Sequence, residues 1–408
     1  MVTMSDHHPS LHRSVIRECR YDDGERVPQL VDAAGVPDAR VSAYVTTWLR
    51  PQGRAYATME NHVRGIARGV AFIAESHIDI DRRLATTGMI FDRLELDKLA
   101  RACEERLDGK GQIGAAVAGS YFTAFMDYLY WLQEPFQQRA DKQTRGLLVD
   151  ERRDFDRLVE ERRPRETGPA ANSSIRKGLT PAQRELFLEV IHPDHAQNPF
   201  TPKLRIRNYA ILMLAYYLGP RAGETLSLKR PQFDDRSADR TVTIERRPFD
   251  AEDPRSEPAL VKTLGRTIPL MDQVADSLAA WMRHRDGKTK GRANFPASAR
   301  RTGFIFISTG GTPLSGRRLR DIYATLGASF PQLANITQHV LRADDSERWV
   351  ELDKAENRDK VESDRAHREK KGWSQRSRMI EHYAGFMLSQ QTQAFIRRSN
   401  DSLIAAKR

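Results

Sequence analysis

The chain has 408 residues, 39% hydrophobic and 30% charged, with a mean hydropathy of -0.62, which describes folded domains with a very polar surface and excludes a disordered chain. Lysine and arginine total 66 against 55 acids, a formal charge of +11, so the summed field attracts a polyanion; nucleic acid is the first expectation, with an acidic membrane surface or plain solubility as alternatives. The two cysteines, Cys19 and Cys103, lack CxxC spacing, which excludes a disulfide framework or a zinc ribbon.

At the N-terminus, MVTMSDHHPS is too polar for a signal peptide, and the longest apolar run, Tyr209 to Leu218, falls short of the roughly 20 residues a bilayer requires. A cytoplasmic protein with no membrane partner is expected. His7, His8 and His12 read as a solvated terminus and not as a metal site. Residues 1–40 are taken as an N-terminal extension.

From residue 41 to about 150, apolar residues recur at helical spacing, as in Tyr56, Met59, Val63, Ile66, Val70, Phe72 and Ile73, and predict four or five packed helices. Arg50, Arg54, Arg64 and Arg68 punctuate them, either as a phosphate-contacting face or as a solvated one. Residues 151–180 lose that periodicity and end in a Gly, Pro, Ala, Asn and Ser cluster, the composition of an exposed linker. Thr180 and Pro181 then form a helix start, with threonine as N-cap and proline at the first helical position.

The second domain, 181–408, contains a helix from Arg205 to Leu218, then strand-like TVTIERR, ALVKTL and RTIPL with Gly265 as a tight turn between the last two. Helical periodicity resumes after Leu270 and is broken by strand-like FIFIS at Phe304 to Ser308. The expected fold class is mainly α with a small antiparallel β-sheet, an α+β domain behind a helical one.

Candidate chemistry is spread along this second domain. In YLGPRAGE a glycine and a proline stop a helix and set Arg221 on the turn at its end, where a guanidinium reaches an anion with two-pronged geometry and Glu224 is near enough to hold it; a local surface ion pair is the plainer reading of an isolated RxxE. Lys262 precedes the glycine turn, carried toward a ligand or guarding a sheet edge. NITQHVLR brings His339 and Arg342 onto one helix face, and KKGWSQRSRMIEHYAGF contains Trp373 and Tyr383.

This ordered set resembles the tyrosine recombinase or phage integrase family, whose catalytic domain carries in order arginine, lysine, HxxR, a histidine or tryptophan after glycine, and tyrosine. Arg221 matches the arginine box as LGPRAGE, Lys262 the β-hairpin lysine, His339 and Arg342 the HxLR motif as HVLR, Trp373 the position after glycine, and Tyr383 the nucleophile. The helical region before the linker is similar to the family's core-binding domain, so the resemblance spans the chain from about Val41. Past HVLR the sequence departs from the pattern: Ala343 and Asp344 stand where a histidine and small residues are usual, and a charged run leads to Trp373, with His367 and His382 as further polar candidates.

The resemblance implies a site-specific recombinase that cuts and rejoins duplex DNA in integration or excision of a mobile element, without metal, ATP or other cofactor. Tyr383 would form a 3′-phosphotyrosyl bond. Arg221 and Arg342 would meet the charge on the nonbridging oxygens, Lys262 would protonate the departing 5′-oxygen, His339 would help accept the tyrosine proton, Trp373 would pack the site and donate its indole N–H, and Glu224 would orient Arg221. A homotetramer on paired sites, with or without accessory proteins, and association with the nucleoid are further implications. Type IB topoisomerase-like cleavage and a catalytically inactive DNA-binding regulator of the same fold are the alternatives.

Overall fold

A computed structural model describes residues 14–106, 111–166, 178–247, 250–377 and 379–380. The chain divides into two compact units, residues 1–172 and residues 173–408, apart from a short segment at 249–251 that groups with the first. The fold is mainly α with small antiparallel sheets. Among the described residues no helix is long and apolar enough to cross a membrane, and no group of His, Cys, Asp and Glu could hold a metal ion.

Residues 15–31, read from the sequence as part of an extension, form an antiparallel hairpin of β1 (Val15–Arg20) and β2 (Arg26–Val31). Its turn uses Gly24 at φ 86°, and its apolar residues Val27 and Leu30 belong to the core of the helical unit. The first strand is too charged to announce itself. Helices α1 (Ala39–Tyr44), α2 (Tyr56–Glu75), α3 (Ile80–Thr86), α4 (Arg93–Glu104), α5 (Ala115–Arg139) and α6 (Lys142–Arg162) follow. Asp38, Asp79, Asp92 and Asp141 each cap a helix by accepting a backbone N–H, which satisfies donors that the first turn leaves open.

Helix α2 buries Met59, Val63, Ile66 and Phe72 as their spacing predicts. Its glycines set the distance to α5: a Cβ on Gly65 would stand 2.4 Å from the Tyr121 carbonyl oxygen, and one on Gly69 would stand 2.2 Å from the Phe125 ring. Helix α6 overruns the start of the expected linker: Leu148 and Phe155 are buried and Leu158 and Val159 pack against the core of this unit, but the charged residues between them mask that face in the sequence. The four arginines of this region are largely engaged. Arg50 forks onto Glu25 at 2.8 and 2.6 Å, Arg54 reaches Gln52 and His62, Arg64 pairs with Glu60, and buried Arg68 lies over the Tyr121 ring.

In the second unit α7 (Pro181–Val190) starts as expected, Thr180 and Gln183 forming a capping box with Pro181 in the first turn. Then come α8 (Pro202–Leu218), α9 (Ala222–Ser227), and a three-stranded antiparallel sheet in the order β3 (Phe233–Asp234), β4 (Thr241–Ile244), β5 (Arg266–Pro269). ALVKTL is not a strand. Residues 259–264 lie in an irregular segment leading into β5, so Lys262 is carried on a loop and not on a hairpin arm. After α10 (Asp272–Asp286), the short hairpin β6 (Lys288–Thr289) and β7 (Arg292–Ala293), and α11 (Ala297–Arg301), FIFIS makes only isolated bridges. Its carbonyls are met by side chains: Arg285 donates to Phe304 and Ile305, Trp281 Nε1 to Ile305 at 3.0 Å, and Arg207 to Ile307 at 2.9 Å. Helices α12 (Gly316–Ser329), α13 (Gln338–Glu356) and α14 (Lys360–Lys371) complete the described chain.

Packing at α2 gives a paired test. Gly69→Ala gains up to about 1 kcal/mol of helix propensity but overpacks Phe125, and a net loss of about 1–2 kcal/mol is expected. Gly146→Ala, at a helical position with nothing within 4 Å, should gain about 0.5–1 kcal/mol. Urea midpoints of the two variants should move in opposite directions; a shared direction would refute the close-approach argument.

Candidate active site

The second unit gathers its candidate residues around one carboxylate. Helix α8 is apolar over Ala210–Leu218 and ends at Gly219 in the left-handed conformation, φ 57°, which only glycine adopts at little cost. Pro220 then prevents the helix from resuming, and Arg221 becomes the N-cap of α9. Glu224, one turn on, accepts the Arg221 backbone N–H at 2.8 Å, so the RxxE spacing closes a helix start before it does anything else.

Glu224 is 0% exposed. Its strongest side-chain partner is Arg266, whose two terminal nitrogens reach the two carboxylate oxygens at 3.3 and 3.0 Å, and Thr263 donates its hydroxyl to the same group. The guanidinium nitrogens of Arg221 and Arg342 each lie 3.9 Å away. The expectation that Glu224 orients Arg221 therefore takes a different form: it fixes the arginine's backbone, while its carboxylate is shared among three cations. Burial works to raise its pKa, but the Arg266 hydrogen bond and charge with Arg342 and Thr263 outweigh it and hold the carboxyl below the usual range.

The Arg221 side chain is 30% exposed, while its Nη1 is turned inward, 3.9 Å from Glu224 Oε1 and without a hydrogen-bond partner. Arg342 is placed differently. It is 4% exposed and donates to the carbonyls of Gly219 at 2.7 Å and Lys371 at 3.0 Å, with its guanidinium 5.5 Å from the Trp373 ring. Helix α13 is brought there by Gln338, which donates to the Pro220 carbonyl at 2.8 Å and accepts from the Tyr323 hydroxyl at 2.6 Å. His339 is exposed at the start of the same helix, one turn before Arg342. Lys262 is exposed and immediately precedes the Thr263 that bonds Glu224.

Trp373 follows Gly372, which caps α14 with φ 62°. A Cβ there would stand 2.5 Å from Arg266 Nη1 and 2.9 Å from the Leu264 carbonyl, and Leu264 donates its N–H to the Gly372 carbonyl at 3.1 Å. The glycine thus lets the Trp373 turn press against the loop bearing Lys262. Structure brings Arg221, Glu224, Arg342 and Trp373 together with the Lys262 loop; Tyr383 and His382 lie outside the described residues.

Sequence reasoning missed Arg266, Thr263 and the charged interior of α13. Asp344 accepts from Arg184 and Arg348 at 2.8 and 2.9 Å, and Asp345 from Lys370 at 2.7 Å and from Lys371. Lys371 is 0% exposed, and burial pushes its ammonium down to about 7 against the pull of Asp345. His367 is stacked on Trp349 at 5.1 Å and tilted against Trp373 at 5.2 Å; burial, then the nearby Lys371, push its imidazole down to about 3. It is a packing ring whose Nε2 meets the Ser346 hydroxyl, 3.3 Å away.

Two stability tests follow from these burials. Removing the Glu224 charge strands Arg266 and Arg342 in the interior, so Glu224→Gln should lose about 3–5 kcal/mol in denaturant unfolding at neutral pH. Folded His367 stays neutral where the unfolded imidazole takes a proton. Its contribution is therefore intact above about pH 6.5 and declines toward about pH 3, by up to about 1.4 kcal/mol per pH unit. His367→Phe should flatten the wild-type loss of stability between about pH 6.5 and 4.5, and parallel curves would show that His367 takes up its proton while folded.

The Phage integrase family model matches residues 179–351, a range that includes Arg221, Glu224, Lys262, His339 and Arg342 and ends before Trp373. No curated protein sequence matches the chain. Among solved structures the chain is similar to the XerH site-specific recombinase bound to difH substrate, at 14% identity over 86% of this chain and 84% of that one with a TM-score of 0.49. It is similar to the Tn1549 transposon integrase in complex with circular intermediate DNA, at 17% identity, 72% and 81% coverage and a TM-score of 0.45. A lambda integrase dimer bound to a COC′ core site matches at 15% identity, 94% and 96% coverage and a TM-score of 0.38.

Proposed function

We propose, from the match of the phage integrase family model to residues 179–351 and the site described above, that the chain is a site-specific tyrosine recombinase acting on duplex DNA. The observation that carries the reading is the convergence on Glu224. One buried carboxylate gathers Arg221, Arg342 and the loop of Lys262, and the Arg221 side chain stays 30% exposed. A lone RxxE pair would need none of this.

In the proposed reaction the Tyr383 oxygen attacks the scissile phosphorus, and the bond from phosphorus to the 5′-oxygen breaks. A 3′-phosphotyrosyl link forms. The tyrosine proton passes to His339 or to solvent, and Lys262 gives a proton to the departing 5′-oxygen, so the step is isoenergetic in bond type and reversible by the freed 5′-hydroxyl. Tyr383 holds this role by its place in the sequence alone. Arg221 donates to a nonbridging oxygen where charge accumulates, Arg342 supplies a second guanidinium once phosphate competes with its carbonyl partners, and Trp373 packs beside it.

The same reading assigns the net charge of +11 to phosphate contacts, with a slope of about -0.9 in log affinity against log salt per phosphate neutralised. It extends to residues 41–150 as a core-binding domain, 181–408 as the catalytic domain, a homotetramer on paired sites, and service to a mobile element.

The test is covalent capture. Protein incubated without metal on labelled DNA from around its own gene and quenched in SDS should leave an adduct on one side of a nick. Tyr383→Phe should bind and leave none, and Arg221→Ala should slow adduct formation by about 100- to 1000-fold. Salt-sensitive binding with no adduct from the wild type would replace the recombinase by a non-cleaving DNA-binding protein.

A further inference from the structure

The C-terminus of α14 is built in an unusual way for a helix end. Its last two carbonyls, where the helix dipole is negative, accept from two guanidinia: Lys370 from Arg266 Nε at 2.7 Å and Lys371 from Arg342 Nη2 at 3.0 Å. The side chains of the same two lysines turn back onto Asp345 of α13. Lys370 also reaches the Tyr217 carbonyl at 3.2 Å, and Lys371 the Arg342 carbonyl at 3.3 Å.

Lys371 is thus bonded to Arg342 twice, its ammonium to the arginine's own carbonyl and its carbonyl to the arginine's side chain. The other arm of Arg342 is held by Gly219, and a Cβ on Gly219 would stand 2.6 Å from Lys371 Nζ. Only glycine leaves space for the ammonium at that point. A lysine with 0% exposure beside an aspartate with 3% is an expensive way to fill a core, since apolar residues of equal volume commonly do as well or better for stability. Stability alone does not explain the pair.

We propose that Lys371, clamped by Asp345, is a positioning residue for Arg342, fixing the backbone and guanidinium of that arginine at the distance from Trp373 and Glu224 that phosphate recognition requires. The inference rests on the recombinase reading, in which Arg342 meets the scissile phosphate. Lys371 itself touches no DNA. Its effect passes through Arg342, where a displacement of about 1 Å is enough to cost about 100-fold in rate.

Lys371→Met keeps the volume and leaves Asp345 its second partner, Lys370 at 2.7 Å, so the variant retains charge balance in the core. Single-turnover adduct formation is measured on two duplexes cut at the site that wild-type cleavage locates, one with an ordinary scissile phosphate and one with a methylphosphonate, which lacks the charged nonbridging oxygen. Lys371→Met is expected to bind DNA within about twofold of wild type and to cleave the ordinary duplex about 10- to 100-fold more slowly. On the methylphosphonate, where a guanidinium has less charge to meet, the gap should narrow to under about threefold.

Equal losses on both duplexes would mark a merely structural role and overturn the inference, as would an unchanged rate. Absence of any wild-type adduct would overturn the recombinase reading and this inference with it, whereas a normal wild-type adduct with an unaffected variant sinks the inference alone. Should Lys371→Met not fold, Asp345→Asn read on the same two duplexes decides between the same outcomes.

Discussion

A carboxylate with no access to water has to be surrounded by donors, and in this protein that requirement organises everything near the candidate site. Glu224 cannot be buried by α9 alone, a helix of six residues. It needs Thr263 and Arg266 from the approach to β5 and the nearness of Arg342 from α13. Three segments well apart in the chain are thereby tied to one point, and each brings a candidate residue: Arg221 at the start of α9, Lys262 before Thr263, His339 and Arg342 on α13. Isolated burial of such a charge would be prohibitive; shared among several cations and hydrogen bonds, it becomes a fixed centre.

The helix ends serve the same centre. Gly219 and Gly372 both take left-handed conformations, and both do so where a side chain would strike the cluster, Gly219 against Lys371 and Arg342, Gly372 against Arg266 and the Leu264 carbonyl. Each turn reverses the chain within contact distance of a guanidinium and then delivers a candidate residue, Arg221 after the first and Trp373 after the second. The carbonyls exposed by helix termination are what the arginines bond, so stopping α8 and α14 creates acceptors and the cations use them.

Much of this was legible in local signals. Gly219-Pro220 and Gly372 announce helix ends, Thr180-Pro181 a helix start, and the spacing of Met59, Val63 and Ile66 a buried face, because each depends on neighbours within about a turn. The order of Arg221, Lys262, His339, Arg342 and Trp373 could be read for the same reason. Arg266 could not, since nothing in RTIPL shows that its arginine will meet Glu224 forty-two positions earlier. FIFIS looked like a strand because an apolar run of this length is what a buried strand looks like; its carbonyls are instead met by Arg207, Arg285 and Trp281. Nothing in the charged run after HVLR shows that its acids are interior, yet Asp344 and Asp345 are buried and paired with bases, among them Arg184 and Lys370 from other helices.

These arginines also change the meaning of the net charge. Arg207, Arg255, Arg266, Arg285 and Arg342 are all buried, and each donates to backbone carbonyls, so a share of the basic excess is structural and contributes to the outer field only through low-dielectric protein. An acidic partner would be attracted by what remains at the surface, and Arg221 belongs to that remainder. It differs from its neighbours in one physical respect: its backbone N–H is held by Glu224 while its side chain remains 30% exposed. A cation held at its root and still open to solvent can be reached from outside, whereas both arms of Arg342 are already taken by carbonyl oxygens. The two arginines that look equivalent in the sequence are therefore placed differently, one partly open to solvent and one buried among carbonyl acceptors.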